Sequence, residues 1–483
     1  MRRSVRLIRN TYFLSVARVT NPFLAMVLVL VLSRQTGAQG LGEYTTVLTL
    51  FSFFTTFSAL GLHGPIVRDV AARPSSVGRI LSGGYLLGGI SALIFSMIMA
   101  GTAVLLKYES AILYGVMILA PALICYTISL ITQALLQGVE RMEYTAVILI
   151  SETLIKVILG ITVLVLRGPI IAVIGAVAVS HLISMILGLI LVHRGAGPIR
   201  WELNRESFFD LFRQIPTFFA LSIVVMVYWN TDILMLSKMQ GTVSVGLYSA
   251  AYRLLSIGKE LANSYIVAIF PVISHFYLQS RESFQISCIR SIKYLLIFSL
   301  PVAVAVTLRA REILLLLYGQ AEFSGGESTL QVLIWTMVFF PIANILGNGL
   351  IASHRQRIDL WVNTMGAVFN VCLNLVLIPR FGPFGAGVAT LLSIVFFLLV
   401  QNFYVSRVLF RIPFWDVFFR PALSAVVMGL VICLPVSLFI VVPSGLIVYG
   451  LCLWLLRSFS SEEIEMIRIL WRQRNQIFQW RNS

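Results

Sequence analysis

The sequence predicts an all-α polytopic membrane protein of about 14 transmembrane helices, built as two six-helix lobes of parallel pseudo-repeat plus two C-terminal helices. Three observations carry this reading. Of 483 residues, 58% are apolar and 12% charged, about half the charge of an ordinary soluble domain. Apolar segments of about 20 residues, the length that crosses the hydrocarbon core, recur along the chain. A Gly-rich motif occurs twice. A soluble enzyme is excluded, because such a composition cannot cover a water-facing shell.

In chain order, the basic start MRRSVRLIRN leads into an apolar stretch without a small-x-small cleavage site, so it is read as a cytoplasmic start and a retained first helix rather than a signal peptide. Spans are expected near 11–33, 41–62, 80–106, 111–136, 144–166, 170–192, 215–237, 243–274, 291–308, 329–353, 358–378, 384–406, 421–441 and 444–456, separated by Gly, Pro or charge. With the N-terminus inside, 24 Lys and Arg fall in inside segments and seven in outside loops. That bias predicts both termini on the cytoplasmic side and accounts for most of the net +16 without nucleic acid. The longest outside loop, 309–328, leaves no room for an outside catalytic domain.

Domain boundaries follow from the same pass. Residues 1–195 form an N-terminal six-helix lobe and 196–214 an amphipathic cytoplasmic linker. Within WELNRESFFDLFRQ, Phe208, Phe209, Leu211 and Phe212 are expected on the membrane surface. Residues 215–415 form the second lobe and 416–457 helices 13 and 14. Residues 458–483 form an amphipathic tail, in which Ser460 and Glu463 fit a capping box. The tail reads as an interfacial helix on an anionic leaflet, or as a protein-docking helix. The five cysteines have neither disulfide-framework nor zinc spacing and read as small apolar residues.

The repeat is Gly37-Ala-Gln-Gly-Leu-Gly42-Glu-Tyr44-Thr45 against Gly241-Thr-Val-Ser-Val-Gly246-Leu-Tyr248-Ser249, an offset of 204 residues. The run from Gly175 to Ser184 resembles that from Gly385 to Ser393 at a nearly equal offset. Six spans per half is an even number, so both halves start on the same side and are related by an axis along the membrane normal. Rocking of one half against the other would open a central cavity to each side in turn.

Ionisable groups at membrane depth are costly and are functional candidates by default. Arg18 lies on the first span and Arg253, Lys259 and Glu260 on the eighth. Glu152 and Lys156 sit four residues apart on the fifth, Asp232 near the outer end of the seventh, and His181 on the sixth. Arg18 either snorkels to the surface or faces a cavity. Arg253 either pairs with Asp232 or Glu152, or meets an anion. Glu152 and Lys156 either neutralise each other or line the cavity; Asp232 either titrates or binds a coupling cation, or serves as a counter-ion; His181 reads as a satisfied buried histidine. Arginine binds phosphate bidentately and keeps its charge, so Arg18 and Arg253, one from each half, would suit a clamp on a diphosphate head group. No Walker loop, HExxH or GxSxG is present, so neither ATP-driven transport nor those hydrolytic chemistries is expected, and no cofactor is implied.

Several runs together carry a resemblance: the repeated G-x-x-x-[LV]-G-x-Y motif, Gly64-Pro-Ile-Val-Arg68 through Arg73, Leu135 through Met142, Asp232-Ile-Leu-Met-Leu, Val245 through Arg253, and Ile378-Pro-Arg-Phe-Gly-Pro-Phe-Gly-Ala386. In order and spacing they resemble the polysaccharide biosynthesis and oligosaccharide flippase (Wzx-type) family of the multidrug/oligosaccharidyl-lipid/polysaccharide exporter superfamily. The resemblance implies two six-helix lobes around a cavity and passage of a polyprenyl-diphosphate-linked glycan from inner to outer leaflet, with no catalytic role. In the related lipid II flippases, arginines on helices 1 and 8 line the cavity, which directs attention to Arg18 and Arg253. The partners implied are that glycan lipid, membrane lipids, and the polysaccharide polymerase and glycosyltransferases of such a pathway. Drug-exporting relatives commonly carry an acid in helix 1, where this chain has Arg18. A cation-coupled exporter of drugs or small amphiphiles and a membrane polymerase or ligase of lipid-linked sugars are the competing readings.

Overall fold

In lipid a backbone must satisfy its own N–H and C=O groups, and a helix does so within one segment. The computed structural model describes residues 2–73, 77–196, 205–459 and 463, and among these it contains helices and turns and no strand. Ten of the helices are long and apolar enough to cross a membrane, or eleven if the bent pair α4–α5 is one span.

The first half opens with α1 (Arg2–Ala59), which breaks at Gly37 into two arms. It continues through the short α2 (His63–Ala72), α3 (Val77–Leu105), α4 (Ser110–Leu119), α5 (Ala122–Gly138), α6 (Met142–Val165) and α7 (Ile170–Ala196). The α4–α5 pair bends by 43° beside Pro121, as expected where proline removes a ladder hydrogen bond. The second half comprises α8 (Arg205–Met239), α9 (Gly241–Gln279), α10 (Arg281–Leu308), α11 (Ala310–Tyr318), a 3-10 turn at Ala321–Gly326, α12 (Glu327–Leu333), α13 (Thr336–Ala352) and α14 (Gln356–Val408). Helix α14 breaks at Gly382 as α1 does at Gly37. Helices α15 (Phe414–Ile432) and α16 (Leu438–Leu455) complete the described chain.

Large apolar side chains such as Met97 and Leu105 on α3 and Phe439 and Trp454 on α16 point outward, where lipid rather than water is their solvent. One buried cluster runs through both halves. A second fills the Gly61 end of the first half, around Leu62, Ile66, Leu135 and Leu191.

Three segments differ from the sequence reading. Helix α8 starts at Arg205, so residues 205–214 are its first turns rather than a separate surface helix. Leu211 is buried in the second cluster against Gly83, while Phe209 and Phe212 are exposed. The loop at 309–328 contains α11, whose Tyr318 is buried and donates to the Ala250 carbonyl at 2.9 Å. The last two spans divide at Cys433–Ser437, where Pro435 lies in the turn, rather than near residue 442, and Pro443 sits inside α16. Ser460 of the expected capping box and most of the tail lie outside the described residues. Glu463 is described, and it accepts from Lys293 Nζ at 2.7 Å and from the Tyr294 hydroxyl at 2.9 Å on α10.

Candidate functional site

The two copies of the repeat meet face to face. A Cβ at Gly42 would collide with the Thr242 carbonyl, and a Cβ at Gly246 with the Ala38 carbonyl. Positions 42 and 246, and likewise 38 and 242, are separated by the repeat offset of 204. The contact is therefore reciprocal, as a local two-fold axis between the motifs requires. Each motif also opens on a glycine with positive φ, 67° at Gly37 and 80° at Gly241, a conformation that side-chain-bearing residues rarely adopt. Among the described residues, the seam between α1 and α9 built on these motifs is the most extensive helix pairing.

Two basic residues reinforce the same end. Arg34, before Gly37, donates to the Leu316 and Leu317 carbonyls of α11, both at 2.9 Å. Lys238, before Gly241, donates to the Leu106 carbonyl at 2.6 Å and lies over the Tyr108 ring at 3.3 Å. Each caps the carbonyl-rich C-terminal end of a helix belonging to the other half, where a cation is favoured. The Glu322 carboxylate accepts from the Ala38 N–H beside them.

Deeper along the seam sits Arg253, half-buried on α9. It lies within electrostatic reach of Tyr44 of α1, Lys156 of α6, Tyr252 of α9 and Tyr318 of α11. Among the described residues it makes no ion pair, so it is paired with neither Asp232 nor Glu152. Lys156 likewise has no ion pair among the described residues. Glu152 lies close enough to interact with it electrostatically, but its direct partners are on α7: Ser184 donates to it at 3.0 Å and His181 Nδ1 lies 3.5 Å away. His181 is buried, stacked on Phe51 at 5.1 Å between ring centres and edge-on to Tyr126 at 5.6 Å.

Asp232 occupies a separate polar pocket in the second half. Its carboxylate accepts from Tyr248 at 2.8 Å, Thr390 at 2.9 Å and Asn374 at 3.4 Å, which lie on α9 and α14. Asn374 also donates to Asn370 at 2.9 Å. Burying a carboxylate is tolerable where several donors replace its hydration. Lys259 lies over the rings of Phe340 at 4.8 Å and Tyr252 at 5.5 Å. Glu260 borders a crevice with Pro22 and Phe23 of α1. Arg18 is on the α1 backbone, and its side chain lies outside the described residues.

A cavity of about 480 Å³ opens between the halves at the Gly61 end, opposite the sealed Gly37 end. Its largely apolar wall, with Ala59, Leu130 and Met226, also carries polar side chains: Thr55, Thr56, His63 and Tyr126 from the first half and Ser222 and Asn230 of α8. None of these was singled out from the sequence. Nor was Tyr318, and Tyr44 and Tyr248 were read only as matching places in the repeat. The i,i+4 pair Asn370–Asn374 inside an apolar span was the available signal for the Asp232 pocket.

Two related halves, packed backbone on backbone at one end, open to a cavity at the other and, among the described residues, carrying Arg253 without an ion pair along their seam, define a polytopic membrane protein of the transporter type. The chain belongs to the polysaccharide biosynthesis protein family, whose model matches residues 7–277. The MatE family model matches residues 216–376. The chain is 23% identical over 409 residues to the probable low-salt glycan biosynthesis flippase Agl15 of Haloferax volcanii, covering 83% of this chain and 84% of that protein. It is 21% identical over 458 residues to the lipid II flippase MurJ of Bacillus subtilis, covering 84% and 83%. Among solved structures, a lipid II flippase MurJ in an inward closed conformation superposes with a TM-score of 0.77 at 15% identity, covering 91% of this chain and 97% of that one. An inward-facing multidrug resistance transporter of the MATE family superposes with a TM-score of 0.64 at 14% identity, covering 81% and 98%.

Proposed function

We propose that this protein is a flippase that carries a polyprenyl-diphosphate-linked oligosaccharide from the inner to the outer leaflet by alternating access, for cell-surface polysaccharide biosynthesis. The observation that carries the reading is Arg253, a guanidinium half-buried on α9 at the seam between the halves that makes no ion pair among the described residues. A guanidinium without an ion pair is held at depth only at a cost in free energy, and an arriving diphosphate relieves it by accepting charge-assisted hydrogen bonds, with Lys156 of the first half as a second cation for the same anion. Arg18 from the first half completes the clamp. The sugar occupies the polar cavity, and the polyprenyl chain stays in lipid.

The lobes are residues 1–195 and 215–415, with 416–457 as the added pair, giving about 14 spans. Both termini are cytoplasmic, so the Gly61 end faces the cytoplasm and the Gly37 end the outside. Asp232 with Tyr248, Thr390 and Asn374 supplies an oxygen-rich pocket for a coupling cation, and Glu152, Lys259 and Glu260 set the charge balance along the seam. The relatives named above are flippases and transporters, in keeping with transport rather than sugar polymerisation. A polysaccharide polymerase and glycosyltransferases are the proposed working partners.

The test is translocation of a fluorescent polyprenyl-diphosphate oligosaccharide in vesicles containing the purified chain, read by access to a membrane-impermeant quencher. Arg253→Ala and Lys156→Ala are expected to lower the rate about tenfold or more each, the worth of a lost charge-assisted bond, with the fold retained. Unchanged rates in both variants, or a wild-type protein that moves toxic cations and not the glycan lipid, would overturn the reading.

A further inference from the structure

A second cavity, of about 540 Å³, lies on the flank of the second half, away from the seam between the lobes. It runs between α10, α13, α14 and α15, and its walls are apolar: Leu296, Phe339, Ile342, Leu398 and Phe418 are among them. At one end the lining turns polar, with Asn402 and Ser406 near the end of α14 and Arg411 in the connection to α15. That connection joins two membrane helices, so the polar end of the groove lies at the membrane–water boundary and the apolar part within the hydrocarbon.

The basic residues at this end are not equivalent. Arg355 donates to the Val408 carbonyl at 3.4 Å and Arg407 lies on the Phe403 ring at 4.1 Å. Arg411 lines the groove and makes no hydrogen bond or ion pair among the described residues. Phe414, which also lines the groove, is the first residue of the 19-residue helix α15. The leading N–H groups of a helix have no intrahelical acceptor and favour an anion. Asp416, in the same first turn, is exposed and is not part of the lining. An apolar slot ending in a guanidinium, a helix N-terminus, an amide and a hydroxyl matches a molecule with a fatty chain and a phosphate.

We propose that this groove is a binding site for one anionic glycerophospholipid of the surrounding membrane, with an acyl chain between α10, α13, α14 and α15 and its phosphate on Arg411, Asn402 and Ser406. The lipid fills the space that protein side chains leave between α15 and the second half. It also holds the connection at residues 409–413 against the end of α14. The inference is independent of the flippase reading, because the groove shares no lining residue with the cavity between the halves.

The experiment is native mass spectrometry of the full chain in detergent, titrated with phosphatidylglycerol and with phosphatidylcholine of the same acyl chains. One phosphatidylglycerol is expected to bind several-fold more tightly than phosphatidylcholine. Arg411→Gln should remove that preference and Arg411→Lys should keep part of it, while Leu398→Trp, which fills the slot, should weaken both lipids. Inorganic phosphate in excess should leave the bound lipid in place. Equal binding of the two lipids, an Arg411→Gln variant indistinguishable from wild type, displacement by phosphate alone, or preferential replacement by a polyprenyl phosphate would each overturn the proposal. The last would assign the groove to the transported lipid.

Discussion

Gly42 and Gly246 are bound to the same requirement from opposite sides: each lies on a backbone carbonyl of the other's repeat, with no room for a Cβ. Backbone packed on backbone is a contact that membrane helices make through small residues. Here it joins the two halves directly rather than two helices within one half.

Gly42→Ala and Gly246→Ala should therefore act alike. Each forces α1 and α9 apart at the Gly37 end, with an overpacking penalty of about 1–3 kcal/mol. The expected result is a lower melting temperature in detergent and faster labelling of a cysteine placed at the buried Leu41 by a water-soluble maleimide. Labelling at the wild-type rate in both variants would separate this contact from closure of that end.

The crossed caps give a second prediction. Arg34→Ala and Lys238→Ala each remove a cation from the C-terminal carbonyls of a helix in the other half, and each should lower stability by about 0.5–1 kcal/mol. In a double-mutant cycle followed by thermal unfolding, the two losses should couple rather than add if both caps hold one closed state. Strict additivity would show two independent surface contacts.

Asp232 separates charge from hydrogen bonding. Asp232→Ala takes the carboxylate from the Tyr248 hydroxyl, at about 1–3 kcal/mol for a buried group left unsatisfied, while Thr390 keeps the Ala386 carbonyl and Asn374 the Asn370 side chain as acceptors, and it should lower the melting temperature. Asp232→Asn keeps an acceptor and should fold like wild type but lose the dependence of glycan-lipid flux on an imposed sodium or proton gradient. A gradient response preserved in Asp232→Asn would exclude Asp232 from coupling.

Glu463 ties the chain beyond α16 back to α10 through Lys293 and Tyr294, and it is 3% exposed. Glu463→Ala leaves a largely buried ammonium without that carboxylate, a loss of roughly 3 kcal/mol for a buried pair broken on one side. Lys293→Met with Glu463→Leu should recover most of the melting temperature, since two apolar groups replace the pair. Failure of the double variant to recover would point to a role for the tail beyond this contact.

The sequence made the span pattern and the repeat legible because both are local: hydropathy over one helix length, and glycines that the turn and the close approach demand. The positive φ at Gly37 and Gly241 is the physical content of that motif. The last two spans were misplaced because two prolines, Pro435 and Pro443, compete as break points, and only packing decides which lies in the turn. Helix α11 was read as loop because a nine-residue helix carries no span-length signal. For the site, Arg253 and Lys156 stood out as charges at depth. The partners of Asp232 did not, since Thr390 lies 158 residues away and looks in sequence like any small polar residue in a membrane helix. Glu152 and Lys156 were read from helical spacing as neutralising each other or lining the cavity; they interact electrostatically, and the hydrogen bond of Glu152 to Ser184 and its approach to His181 on the next helix are contacts that spacing does not show.

The exchange of caps at the Gly37 end has a consequence for how the protein behaves between its states. Because the fastening of each half is mounted on its counterpart, neither can swing aside while the other holds. Intermediate, half-ajar arrangements are thereby disfavoured, and a passage wide enough for a bulky sugar is kept from becoming a leak for small ions.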